Sequence, residues 1–168
     1  MMTLRISLLL VAICSLLVGS GATRVHTTNS AANHLSPATL QELAAARSAT
    51  ARYHDIDQAI ADGYTDIHLY LSGEGFHYVN FSLIDANFDP EHPEVLLYAP
   101  VSGEERLELV GVEYLVPLAL STDPPTGFTG DSDEWRMDSE GFGLWEVNAW
   151  IWLHNPEGVF GHDNPRVP

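Results

Sequence analysis

Lysine is absent from this chain, and cysteine occurs once, at Cys14. That cysteine lies inside an N-terminal apolar run, so the remainder of the chain has no thiol. Disulfides, thiolate metal ligands and cysteine nucleophiles are excluded together. With no lysine, the positive charges are seven arginines set against 23 acids, a formal net charge of −16. Such a surface repels phosphate backbones and anionic lipid headgroups, so nucleic acid is not an expected partner. An acidic excess keeps a protein soluble and attracts cations diffusely. Other signatures are missing as well. There is no G-x-S-x-G around a serine, no glycine-rich phosphate loop leading into a helix, and no internal repeat. The eight histidines include no pair spaced as HxH, HxxH or HxxxH.

Residues 1–22 read as a secretory signal: Arg5 is followed by an apolar run from Ile6 to Val18 and by the small residues Gly19-Ser20-Gly21-Ala22. The run is about thirteen residues, short of the roughly twenty that a spanning helix needs. Cleavage is expected after Ala22, giving a secreted protein of the extracellular space or cell envelope with no membrane span. Residues 23–35, rich in Thr, Ser, Asn and Ala, read as a flexible leader. Residues 36–168 then form a single domain.

Ser36-Pro37 is a helix start, with a capping hydroxyl followed by a proline suited to the first turn. Apolar residues at spacings of three and four carry one helix, or two, on to Gly63. Beyond it the pattern changes to short strands: residues 65–71, 76–81, 94–99, 107–116 and 144–153, separated by turn residues. Ser72-Gly73-Glu74-Gly75 reads as a turn, and Ser102-Gly103-Glu104 as a hairpin connection. Residues 121–140 carry Pro124-Pro125 and many acids and read as a long surface loop. Its Asp131-Ser132-Asp133-Glu134 lacks the spacing and glycine of a calcium loop and reads as solvated acid. The fold class expected is α+β: an N-terminal helical region packed on a curled, mainly antiparallel sheet or partial barrel of about five strands.

Two strands carry acid or amide groups between large apolar neighbours. Glu113 sits in ELVGVEYLVP, and Glu146 and Asn148 interrupt the tryptophan-rich LWEVNAWIW. A buried carboxylate is costly unless it is hydrogen-bonded, paired or bound to a metal. Simple alternation puts Leu109, Gly111, Glu113 and Leu115 on one face, with Val110, Val112 and Tyr114 on the other. Where the faces of a curled sheet meet, His77, Glu113, Glu146 and Asn148 form a polar cluster walled by aromatics. Imidazole with carboxylate suits zinc, iron or manganese. Glu113, raised in pKa by burial, is the candidate general base if the site is catalytic. The competing reading is a non-catalytic extracellular binding or structural module in which the His/Glu cluster only fixes the core. His154 and His162 read as solvated loop residues.

The segments GEGFHYVN, PEVLLYAP, LVGVEYLVP and WIWLHNPEGVFGHDNPRV are spread from Gly73 to Val167. With them the chain resembles a family of uncharacterised secreted bacterial proteins, whose pattern runs G-x-G-x-H-Y-[VI]-N, V-E-Y, then H-x-W-x-W before N-P-x-G-x-F. The resemblance implies a His, Glu, His set in which His77 and Glu113 match and Asn148 replaces the second histidine. The site expected is therefore a polar pocket of His77, Glu113 and Asn148 for a metal ion or a small polar ligand. Asparagine oxygen suits a hard cation better than zinc.

Overall fold

The computed structural model describes residues 35–101, 106–138 and 141–168. The expected signal segment, nearly all of the leader and the 102–104 connection lie outside those residues. Ser36 starts the helical region: its Oγ accepts the Thr39 amide at 3.0 Å, Pro37 fills the first turn, and α1 runs Pro37–Thr50. A 3₁₀ turn, Ala51–His54, follows. Asp55 then leaves helical geometry at φ −95° and ψ 107° and caps α2, Ile56–Ala61, by accepting the Asp57 amide. The helical span thus divides where a short side chain competes for the backbone. Gly63, at φ +102°, ends it with its amide donating to the Ile60 carbonyl.

Among the described residues six strands follow: β1 Thr65–Leu71, β2 Gly75–Val79, β3 Val95–Ala99, β4 Glu108–Pro117, β5 Arg136–Met137 and β6 Leu144–Ala149. They lie in the order β1-β2-β3-β4-β6-β5, with every neighbouring pair antiparallel. The molecule is an α+β fold with a curled, open sheet. Five strands stand where the sequence places them. The sixth, β5, is two residues inside the expected 121–140 loop, too short to carry a periodicity. β6 stops at Ala149, earlier than expected, because the chain turns there: the Trp150 amide donates to the Val159 carbonyl, within the C-terminal tail.

The simple alternation along β4 fails at one point. Leu97 pairs with Gly111 but Tyr98 pairs with Leu109, so Val110 is the extra residue of a bulge. Because side chains alternate with period 2, one inserted residue exchanges the faces of everything beyond it. Leu109 therefore joins Val112 and Tyr114 in one core, while Val110 joins Leu115 in the other. The bulge also frees the Val110 carbonyl, which accepts the Trp152 and Leu153 amides and so holds the start of the tail.

Both faces of the sheet are covered. On one, Leu43, Ala46, Tyr53 and Ala59 of the helical region pack on Tyr78, Leu96, Tyr98, Val112, Tyr114 and Val147. On the other, Val79, Val95, Leu97 and Leu115 meet Trp150 and Val167. Covering on both faces is what buries the acid of β4: Glu113 is 4% exposed. None of the described helices is long and apolar enough to cross a membrane.

Candidate metal centre

The β1–β2 turn positions the first candidate ligand. Gly73 and Gly75 both have left-handed φ, +90° and +98°. A Cβ at Gly75 would stand 2.4 Å from the Tyr98 carbonyl oxygen, so only glycine fits there. Between them, Glu74 is turned into the protein and is 4% exposed, although a residue at a hairpin turn ordinarily meets solvent. Two residues into β2, His77 points its ring at the same place. Its Nδ1 lies 3.1 Å from the Gly75 carbonyl oxygen. A carbonyl only accepts, so Nδ1 carries a proton and Nε2 is left to face the acids. Nε2 is 3.4 Å from Glu74 Oε2 and 3.8 Å from Glu113 Oε2. Burial of His77 disfavours its charged form, but the carboxylates of Glu74 and Glu113 outweigh it and raise the imidazole pKa. Nε2 thus sits where a proton or a metal ion is favoured.

Asn148 stands directly across the β4–β6 ladder from Glu113 and is fully buried. Its Nδ2 donates to the His162 carbonyl at 2.9 Å, while its Oδ1 has no hydrogen-bond partner among the described residues. His162 in turn places Nε2 3.6 Å from the other oxygen of Glu74, Oε1. The tail that carries His162 is fastened to the same turn. The Asn164 amide donates to the Gly73 carbonyl at 2.8 Å, and the Gly73 amide donates to the Pro168 carbonyl. Within the tail, Asn155 and Asn164 accept the Glu157 and Arg166 amides two residues on. These are the Asx turns that the two Asn-Pro dipeptides encode.

The spacing of these donors is informative. Direct hydrogen bonds to carboxylates cluster below about 3.0 Å. Two donors each about 2.1 Å from a tetrahedral ion stand about 3.4 Å apart. The three His-to-carboxylate distances, 3.4, 3.6 and 3.8 Å, lie nearer the second value. Among the described residues, two groups have ligand atoms converging within 4.8 Å: Glu74, His77 and Glu113, and Glu74, His162 and Asp163. The first is wholly buried.

Above the first group opens a cavity of about 550 Å³ lined by residues of β1, β2, β3, β4 and β6 and of the loops between them. Glu74, His77, Glu113 and Glu146 supply polar groups. The walls are mainly aliphatic, including Ile67, Leu71, Val79, Ile84, Leu115 and Leu144. Phe81 and Phe142 also line it, each 64% exposed. Asp138 reaches the cavity too, but its carboxylate accepts the Phe142, Gly143 and Leu144 amides and so shapes the loop.

His77 and Glu113, far apart in sequence, are brought together, Asn148 joins them through the ladder, and Glu146 lines the same cavity. The expected aromatic walls are not built from tryptophan. Trp150 is core, and Trp152 packs against Arg47 and His54. Trp145 is tied to the Ser121 carbonyl. The acids of 131–134 take part in neither converging group: Asp133 accepts the Phe128 amide within its own loop. His154 is exposed, as expected of a loop residue.

Sequence reasoning missed Glu74 and His162. Glu74 looks like a turn residue, and its signal was the pair of flanking glycines three residues before a histidine. His162 had no local signal, since its place depends on the tail folding back onto the turn. Compared with known proteins, the chain matches no family model, no curated protein and no solved structure.

Proposed function

We propose that this domain holds a divalent metal ion on Glu74, His77 and Glu113, and that a small ligand enters the cavity above it. The single observation behind this reading is the convergence of three buried donors whose ligand atoms all lie within 4.8 Å of one another. Glu74 takes the third place that the sequence had assigned to Asn148. A carboxylate-rich set with one imidazole suits manganese, iron or zinc. The Gly75 carbonyl on His77 Nδ1 supplies the outer contact that orients a ligating ring. The aliphatic walls favour a ligand with an apolar body whose polar end reaches the acids and imidazole. Glu113 then serves as a ligand to the metal rather than as a free base.

Metal analysis of protein purified without a histidine tag tests this. Near-stoichiometric divalent metal is expected in the wild type, lost in Glu113→Gln and Glu74→Gln. Metal-free wild type, with a Glu113→Gln variant that only melts earlier, would establish the competing reading: a cluster that fixes the core of a non-catalytic module. We further propose export through the 1–22 segment. Sequencing the N-terminus of protein recovered from the medium or envelope tests it, and a mature chain beginning at Thr23 is expected.

A further inference from the structure

We infer that Glu74 bridges two metal ions, the second held by His162 and Asp163, so that the centre is dinuclear. This rests on the metal reading of the Glu74–His77–Glu113 group and adds to it a second ion, a second set of ligands and a role for the tail.

The two oxygens of Glu74 are directed at different imidazoles. Oε2 is 3.4 Å from His77 Nε2, and Oε1 is 3.6 Å from His162 Nε2. Glu74 belongs to both converging groups, with His77 and Glu113 in one and His162 and Asp163 in the other. A carboxylate used through both oxygens is the usual link between two ions about 3.5–4 Å apart, the separation found in two-metal hydrolytic sites. Asn148 is a second, independent sign. It is fully buried, faces Glu113 across the ladder and is bonded through Nδ2 to the carbonyl of His162, so it is linked to one residue of each group. The carbonyl contact fixes which end of the amide is nitrogen, and the remaining Oδ1 is a buried acceptor without a hydrogen-bond partner among the described residues. A hard cation, or a water bound to one, is what such an oxygen accepts.

The surroundings of the two places differ. Glu74, His77 and Glu113 are all buried, whereas His162 is partly exposed and Asp163 is exposed. The first ion is therefore held tightly and the second exchanges. The second ion also joins two segments distant in sequence. Asp163 sits against Gly73, where an added Cβ would come within 3.0 Å of the Asp163 Cβ. Asn164 is bonded to the Gly73 carbonyl. Filling the second place ties the tail to the turn that carries the bridging carboxylate, and emptying it loosens residues 157–168.

The test is titration of chelator-treated, untagged full chain with Mn(II), followed by calorimetry and electron paramagnetic resonance, with amide exchange across 157–168. Two ions per chain, differing at least about tenfold in affinity and giving an exchange-coupled signal, are expected. His162→Ala and, as a milder change, His162→Gln should each bind one ion without coupling and lose the metal-dependent protection of the tail. Their metal-free melting temperatures, compared with the wild type, identify any variant that is simply misfolded. One ion in the wild type, unaltered by His162→Ala, would overturn the second site and leave the first standing. Two ions without coupling would overturn the bridge. No bound Mn(II), and none on repeating with Zn(II), would overturn the metal reading itself together with this one.

Discussion

The two faces of the sheet treat buried polar groups differently. On the helix-covered face, three tyrosine hydroxyls reach backbone carbonyls at ordinary distances: Tyr64 to Pro93 at 2.7 Å, Tyr98 to Tyr53 at 2.6 Å and Tyr114 to Pro90 at 2.9 Å. Each is a neutral donor matched to a neutral acceptor, which locks packing and leaves nothing over. On the cavity face, Glu74, Glu113, His77 and His162 are held near one another at 3.4 to 3.8 Å, and Asn148 Oδ1 has no hydrogen-bond partner among the described residues. The tyrosine hydroxyls close on their acceptors at contact distance, whereas the His and carboxylate groups beside the cavity lie 3.4 to 3.8 Å apart, and on that spacing the proposed metal site rests.

Substitutions on the helix face should lower stability and leave metal content intact. Leu96, fully buried in that core, is expected to give the largest effect. Leu96→Ala should cost about 2–5 kcal/mol in chemical unfolding with unchanged metal per folded chain. If metal were lost in proportion to stability, the faces would not be separable in this way.

Gly75→Ala probes the border between the faces. It forces a side chain into left-handed backbone and against the Tyr98 carbonyl, while displacing the acceptor of His77 Nδ1. A loss of roughly 1–3 kcal/mol is expected, and with it weaker metal binding. Denaturation of the metal-free and metal-loaded forms side by side separates the two effects.

Glu94 is the exception on the structural face, an acid buried beside Tyr64 and Tyr114. Burial pushes its pKa up to about 8 against the hydrogen bond it accepts from the Leu115 amide, with Asp85 and Asp89 adding to the rise. Its ordinary value is 4.5. Between about pH 4.5 and 8 the native state holds a proton that the unfolded state has released, so stability falls as pH rises through that window. The slope from this one group is at most about 1.4 kcal/mol per pH unit. Glu94→Gln keeps an acceptor for the Leu115 amide and should flatten the fall, which unfolding curves at pH 5 and pH 8 will measure. An unchanged slope would place the source of any pH dependence elsewhere.

Ser36→Ala is expected to have the smallest effect. Loss of the cap on α1 should cost about 1 kcal/mol, read as a small drop in melting temperature with no change in metal binding.

Most of the framework was legible because the residues that make it act locally. Ser36-Pro37 and Gly63 bound the helical region, and β1 was placed to the residue, since turn glycines and alternating side chains report on their immediate neighbours. What escaped reading depends on distant parts of the chain. Val110 becomes a bulge only because β3 and the returning tail both claim its backbone. β5 exists only because Arg136 and Met137 find β6 alongside them. The site divides in the same way. His77 and Glu113 announced themselves as polar residues within apolar strands. Glu74 hid in a turn inverted by two glycines, and His162 hid in a tail whose docking rests on side-chain amides of Asn148, Asn155 and Asn164.

Anomalous diffraction from crystals of the untagged protein grown with Zn(II) bears most directly on the claim that these donors are metal ligands. A peak within about 2.0–2.2 Å of His77 Nε2 and of a carboxylate oxygen from each of Glu74 and Glu113 is the expected result. Density that places no ion among those three side chains, with His77 drawn into a direct hydrogen bond to either acid, would contradict it.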